Sequence, residues 1–438
     1  MKYLRWLPLL GCAAPMAWGA VASSGFNAAL DVESFVADND SLSLGGSQNG
    51  TLAGLNLKPQ LGWKGASSWQ IYFEGQLFAA NNESDVEFDS DQGSSTEFAN
   101  LRELWIGHQG FSDYPGDTLR LGVERQRWQD GFIFDSSLLG ASWQLDTSLL
   151  KLQLGYGEQQ DDLRTDDYFL PKEVEKLSLS YANARWQYGY GHAISSYYLY
   201  GEGEENPLDT QLQWAGIGLE NGYYSNSVSA FSYSAFFHAV QGTQFYAPTN
   251  RLEDISGTAV DVGARWQFDV SWQPTIGLQY VAADAGAEGY RPTGFESNRA
   301  KFTGTRSSLY RLNEAIRADL RNLEVASVYL ALAQYRQWDF NLVLSDFSLD
   351  DVRESYYLNG KPHMLVGDDA HLGRGLDLVF SGYLNRKGPG LFSLGYFDSV
   401  IRLRLSAFDY DTRQQANNPE LENLNTQYAG MLSWIVNL

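Results

Sequence analysis

Residues 401–411 read IRLRLSAFDYD, with Ile401, Leu403 and Leu405 at every second position and Arg402 and Arg404 between them. Successive side chains of a β-strand point to opposite faces, so this alternation makes the segment a strand with one apolar and one cationic face. The chain around it is acidic. Its 438 residues carry 31 Lys+Arg against 53 Asp+Glu, a formal net charge of −22. Such a balance argues against nucleic acid as a partner, because phosphate binding needs clustered Lys and Arg. The fold follows from what each face of 401–411 touches.

The same period recurs along the chain. In TLAGLNLKPQLGW (51–63), Ala53, Leu55, Leu57, Leu61 and Trp63 share one parity, and Asn56, Lys58 and Gln60 the other. In WQIYFEGQLFA (69–79), Trp69, Ile71, Phe73 and Leu77 oppose Gln70, Glu74 and Gln76. Leu150, Leu152, Leu154 and Tyr156 oppose Lys151 and Gln153, and Val260, Val262, Ala264 and Trp266 oppose Asp261 and Arg265. The closing QYAGMLSWIVNL (427–438) places Tyr428, Leu432, Trp434, Val436 and Leu438 on one parity.

Short connections fall near 64–68, 110–116, 146–147, 183–184, 221–227, 269–270, 336–338 and 386–395. Mostly longer, polar ones alternate with them: 38–50, 80–97, 128–137, 158–173, 198–210, 240–253, 283–312, 349–371 and 411–426. Eighteen strands result, provided that residues 313–336 form one long strand with an internal shift of parity. A soluble β-sandwich or propeller also alternates, with its apolar face packed into a core. Short turns on one rim and long loops on the other instead predict an all-β, antiparallel up-and-down outer-membrane barrel, with both termini at the periplasmic rim.

The N-terminus fits that destination. Lys2 and Arg5 precede a largely apolar stretch, Leu7 to Ala17, and Ala20-Val21-Ala22 offers a cleavage site, so residues 1–22 read as a signal peptide and 23–438 as the barrel. Leu9-Leu10-Gly11-Cys12 also admits a lipoprotein reading, but the apolar stretch is short for one and Leu10 is bulky. Cys12 is the one cysteine, so the mature chain has no disulfide framework. No run of ~18 apolar residues follows, so no transmembrane helix is expected.

In such a barrel the apolar parity meets outer-membrane lipid, where Arg or Lys near the midplane costs ~2–4 kcal/mol. Arg402, Arg404, Lys58, Lys151, Arg265 and Arg317 should therefore face the lumen. Lumen arginines select anions by local potential and can fork onto a carboxylate. The competing reading is structural: lumen cations pair with Asp and Glu to brace the wall, and Arg317, Asp319 and Arg321 look like such a ladder. Tyr72 and Phe78, on the polar parity, suit either a sugar-stacking slide or ordinary lumen packing.

Enzymatic signatures are absent. The five histidines have no ligand spacing, so no metal is called for, and no phosphate-loop, dinucleotide or nucleophile-elbow pattern implies a cofactor. DSDQG (89–93) is better read as a solvated acidic loop than as a calcium site.

Three ordered blocks carry a family likeness: LRELWIGHQGFSDYPGDTLRLGVERQRW (101–128), running on through FDSSLLGASWQLDTSLL to DDLRTDD; FESNRAKFTGTRSSLYRLNEAIRADL (295–320); and GRGLDLVFSGYL with SVIRLRLSAF (373–384, 399–408). The chain resembles the outer-membrane alginate export proteins. That resemblance implies a monomeric eighteen-stranded barrel passing an anionic polysaccharide outward, with a periplasmic scaffold protein as partner. It also implies a constriction lined by Arg102, Arg125, Arg299 and Arg402, with Asp135, Asp162 and Asp166 nearby; Arg404 and Lys58 join the expected lining on strand parity. Glu33, Gln60 and Ser308 stand where the family has basic residues, and Leu438 replaces a terminal aromatic. Passive secretion of an alginate-like polymer is the leading expectation. A porin taking up small anionic sugars or oligosaccharides, and a filled structural barrel, are the alternatives.

Overall fold

A computed structural model of the chain describes residues 25–40, 49–65, 68–82, 97–112, 114–159, 163–165, 177–203, 210–223, 231–246, 251–286, 289–334, 337–358, 361–363, 368–384, 398–411 and 426–438. The expected signal peptide, residues 1–22, lies outside them, as do Asp162, Asp166 and the DSDQG loop.

Eighteen antiparallel strands form one closed sheet. The first nine are β1 (Phe26–Asp40), β2 (Asn49–Lys64), β3 (Trp69–Asn82), β4 (Glu97–Gln109), β5 (Asp117–Trp128), β6 (Phe134–Asp146), β7 (Leu150–Gln159), β8 (Ser178–Gly189) and β9 (His192–Glu202). The second nine are β10 (Gln211–Glu220), β11 (Phe231–Tyr246), β12 (Arg251–Gln267), β13 (Thr275–Ala283), β14 (Leu323–Gln334), β15 (Trp338–Ser348), β16 (His371–Leu384), β17 (Asp398–Tyr410) and β18 (Gln427–Asn437). β18 returns to β1, in a register running from Asp31↔Asn437 to Asn39↔Ala429. Closure leaves no strand edge with unpaired N–H and C=O groups in the membrane, the condition for a sheet to span hydrocarbon.

Alternation sorts the faces as expected. On β17 Ile401 and Leu405 are exposed on the outer surface, and Arg404, Ser406 and Phe408 are buried on the inner one. On β13 Ile276, Leu278 and Tyr280 face outward, and Thr275, Gln279 and Val281 inward. Exposed aromatics Trp63, Trp69, Trp186, Tyr188, Tyr190, Trp266, Trp272 and Trp434 gather near the short turns. Rings with one polar edge favour that interface between lipid and water.

Two sequence expectations are corrected. Asn183 and Ala184 are not a turn: they pair with Gln153 and Leu152 within β8. The chain reverses instead at Tyr190-Gly191, where Gly191 supplies a φ of 75°, which residues with a Cβ adopt at a cost. Nor is 313–336 one strand. Asn313, Arg317 and Asn322 adopt φ values of 66°, 42° and 52°, and the Asn313 Oδ1 accepts the Ala315 and Ile316 N–H groups. These left-handed residues end any extended run, so β14 starts only at Leu323. Arg317 is accordingly not a strand residue, and of the expected ladder only the Arg321–Asp319 pair at 3.2 Å forms.

The segment before β14 does not stay outside. Residues 289–322 fold into the bore and carry a small hairpin, residues 299–300 against 309–310. A second hairpin, 356–358 against 361–363, belongs to the next long connection. The first descends from the long-loop rim almost to the short-turn rim. There the Thr305 hydroxyl donates to Asn341 at 3.0 Å, the Ser307 hydroxyl donates to Asp339 at 2.7 Å, and the Arg306 guanidinium covers the Tyr383 ring at 4.1 Å. Ala300, Phe302 and Leu309 pack with Tyr223, Tyr329, Val343 and Val379 of the wall. Each large apolar side chain buried this way contributes about 1.5–3 kcal/mol. A larger cluster joins Trp128, Phe132, Ile133 and Phe295 to Leu312, Ile316, Tyr356 and Leu358.

Candidate functional site: an off-centre lumen

The inserted segment fills one side of the bore and leaves the other side wet. Inward residues of β12 to β16, including Asp261, Arg265, Asp339, Asn341 and Asp377, are buried. Inward residues of β1 to β4, including Asp31, Glu33, Lys58, Glu74 and Arg102, are only half-buried. Arg265, expected in the lumen, is 2% exposed. It donates to the carbonyls of Gly222, Tyr223 and Phe302, fastening the hairpin to the wall. Arg311 of the hairpin pairs with Asp261 of β12 at 2.6 Å, both fully buried. Lys151 lies on the inward parity near the short-turn rim, 59% exposed, paired with Asp146 at 2.9 Å and directly opposite Arg185 of β8.

On the wet side a cavity of about 260 Å³ is lined by Asp31, Glu33, Asn56, Lys58, Arg299, Ser308, Arg402, Arg404, Met431 and Ile435. Four cations and two carboxylates thus meet there, a local positive excess inside an acidic protein. Arg299 and Ser308 come from the inserted hairpin, and β1, β2, β17 and β18 supply the rest.

Most of the arginines are held by carboxylates. Arg102 sits at a bulge where β3 and β4 shift register. A bulge re-aims a side chain, and both Arg102 and the inward Glu103 follow from it. Arg102 pairs with Glu74 at 2.9 Å and donates to Gln76 at 3.1 Å. Arg125 donates to Asp135 at 2.6 Å, and Arg127 reaches the same carboxylate at 3.4 Å. Glu314 accepts from Arg299 at 2.8 Å and from Arg404 at 2.6 Å. Burial alone would raise the Glu314 carboxyl, but Arg299, Arg404 and Arg317 outweigh it and hold it below the ordinary range. Lys58 and Arg402 differ: among the described residues neither has a carboxylate within 4 Å, and Arg402 donates to the neutral Ser381 hydroxyl at 3.0 Å.

The inward aromatics stack on one another and stay half-buried. Phe78 is stacked between Phe35 and Phe98, at 5.8 and 4.9 Å, and Arg164 covers Phe98 at 3.6 Å. Tyr72 stacks on Trp105 and donates to Glu74 at 3.0 Å.

A closed eighteen-stranded barrel agrees with the comparison to known families. The family described as Alginate export matches residues 22–399. The chain belongs to that family. It is 29% identical over 420 residues to the alginate production protein AlgE of Pseudomonas aeruginosa, covering 86% of this chain and 85% of that one. To AlgE of Pseudomonas syringae pv. tomato it is 28% identical over 425 residues, covering 83% and 84%. Among solved structures, Pseudomonas aeruginosa OccK8 (OprE) matches with a TM-score of 0.59 at 11% identity, over 94% of this chain and 98% of that one. OccD3 (OpdP) matches with 0.57 at 12%, over 94% and 91%. At that identity the likeness concerns the fold, which is that of outer-membrane barrels of Gram-negative bacteria.

For this alginate-export barrel, the strand pattern and the family blocks brought Lys58, Arg102, Arg125, Arg299, Arg402, Arg404 and Asp135 onto the bore or the segment filling it. Glu74, Arg127 and Glu314 were missed. Glu74 was legible as an inward residue of β3, but Glu314 could be placed only once the inserted segment was seen to turn back on the wall.

Proposed function

We propose that the barrel secretes an anionic, alginate-like exopolysaccharide passively, through a passage whose charged contacts are Lys58, Arg102, Arg125, Arg299, Arg402 and Arg404. The observation that carries this reading is the positive excess on the wet side of the bore, in a chain of the alginate export family with a net charge of −22. Lys58 and Arg402, free of carboxylate partners among the described residues, are the groups able to exchange contact with successive uronate carboxylates. The paired arginines set the potential and the shape. Several weak contacts suit transport, since a chain must enter a site and also leave it. Polymer synthesis at the inner membrane would supply the driving force, and a periplasmic scaffold protein would be the partner on the short-turn side.

Asp31 and Glu33 on the same lining reduce the excess. They favour a polymer less densely charged than unmodified alginate, such as an acetylated one. The test is single-channel recording in planar bilayers with a salt gradient. Anion selectivity, and current block by a long polyuronate but not by its monomer, are the expected results. Cation selectivity, or current indifferent to the polymer, would refute the proposal.

A further inference from the structure

A second cavity, of about 450 Å³, lies on the far side of the inserted hairpin from the charged passage. Its lining includes Trp128, Gln129, Asn183, Arg185, Ser195 and Glu220. Glu220 ends β10 at the short-turn rim and Arg185 lies close to the Tyr190-Gly191 reversal. The cavity therefore sits toward the periplasmic mouth. Its inner end is formed by Trp128 and Tyr197, members of the large packed cluster. Arg127 marks the partition between the two cavities: its guanidinium donates to the Arg299 carbonyl at 2.7 Å and pairs with Asp130 at 3.0 Å, and Lys301 N–H donates to Asp130 at 2.8 Å.

The charge pattern of this cavity is unlike that of the passage. Its two cations, Arg127 and Arg185, are matched by two carboxylates, Asp130 and Glu220. The Glu220 carboxylate takes Arg185 at 2.8 Å and the Ser195 hydroxyl at 2.9 Å. With each guanidinium matched by a carboxylate, the lining carries no net charge, unlike that of the passage. What remains is neutral: the Asn183 amide, hydroxyls, and the rings of Trp128, Tyr197 and Phe236. Trp128 Nε1 and Gln129 Oε1, a donor and an acceptor on adjacent lining residues, are buried without a hydrogen-bond partner among the described residues. A rigid wall of packed rings beside a few donors and acceptors, in ~300–1,000 Å³, is the chemistry of a small-molecule pocket, and here of a hydroxyl-rich one.

We infer that this cavity is a second carbohydrate site, taking a short neutral glycosyl stretch on the periplasmic side of the charged passage. The inference rests on reading the barrel as a polysaccharide conduit, but the two can fail separately. The experiment is isothermal titration calorimetry of the detergent-solubilised full chain with maltohexaose and, separately, a hexauronate. Maltohexaose should bind the wild type, and Asn183→Trp, which fills the cavity, should weaken it at least ten-fold. Asn183→Leu, which removes the amide with little change in volume, should weaken it several-fold. Arg402→Gln should leave maltohexaose unaffected and weaken the hexauronate. No heat with maltohexaose, or equal heats in the wild type and both Asn183 variants, would overturn the second site. Failure of the hexauronate to bind while maltohexaose does would instead count against the polyanion passage alone.

Discussion

The Arg404 guanidinium, on the inner face of β17, donates to the Glu314 carboxylate of the inserted segment across 2.6 Å. Both side chains are 9% exposed. Two residues earlier on the same strand, Arg402 donates to the Ser381 hydroxyl and has no carboxylate within 4 Å among the described residues. The two arginines that share a parity therefore have different work: Arg404 locks the filling segment to the wall, and Arg402 keeps its charge for the lumen.

Glu314 sits between Arg299 and Arg404, so Glu314→Ala would leave two guanidiniums facing each other in a mostly buried site. Breaking a buried pair by removing one partner costs ~3–5 kcal/mol. The expected outcome is a lower unfolding temperature in detergent and larger, noisier channel conductance as the segment loosens. Unchanged conductance would mean that the hairpin is held by its apolar contacts alone.

Replacing Lys58 and Arg402 by glutamate should act on ions without disturbing the fold, since neither has a carboxylate partner among the described residues. A unit charge ~10 Å from a permeating ion in a water-filled lumen is worth ~0.4 kcal/mol. Each reversal changes two charges and acts with opposite sign on anion and cation, so anion permeability should fall ~4-fold, cation permeability rise ~4-fold, and their ratio fall ~16-fold per variant. Glu33→Lys should raise it by a similar factor. Reversal potentials under a salt gradient measure both.

The filling segment should respond to pH through Glu296. Burial, and then the Asp319 carboxylate, push Glu296 up to about 7 from 4.5, while the Thr293 hydroxyl opposes the shift. Burial also raises Asp319, against the pull of Arg321 and Arg291. Tyr290 and Tyr197 complete the surroundings of this pair. A carboxyl raised in the folded state holds a proton that the released state gives up, so stability falls as pH rises from about 4.5 through about 7. The loss is at most ~1.4 kcal/mol per pH unit for one proton. Hydrogen-exchange protection factors of residues 289–322, corrected for the base-catalysed intrinsic rate, should be lower at pH 8 than at pH 5.5, with the difference reduced in Glu296→Gln.

Outward positions on β17 give a control. Leu405 is 46% exposed on the lipid face. Leu405→Arg there should cost ~2–4 kcal/mol near the midplane. Folding into lipid vesicles, followed by the mobility shift between folded and unfolded barrels, would report the loss. An unaffected variant would place Leu405 at the headgroups rather than in hydrocarbon.

The sequence by itself determined the barrel. Side chains alternate with period two whatever the neighbours are, and lipid outside enforces the pattern on every strand, so Ile401, Leu403 and Leu405 betrayed their face and eighteen strands could be counted from the rhythm. It also placed Lys58 and Arg402 inward. Only the tertiary structure decided what the bore contains. The path of residues 289–322 has no period: it turns on left-handed Asn313, Arg317 and Asn322 and is held by contacts between residues far apart in the chain, such as Arg311 with Asp261 and Glu314 with Arg404. Whether an inward arginine braces or attracts depends on a partner that alternation cannot name, because the partner lies across the lumen rather than along the strand.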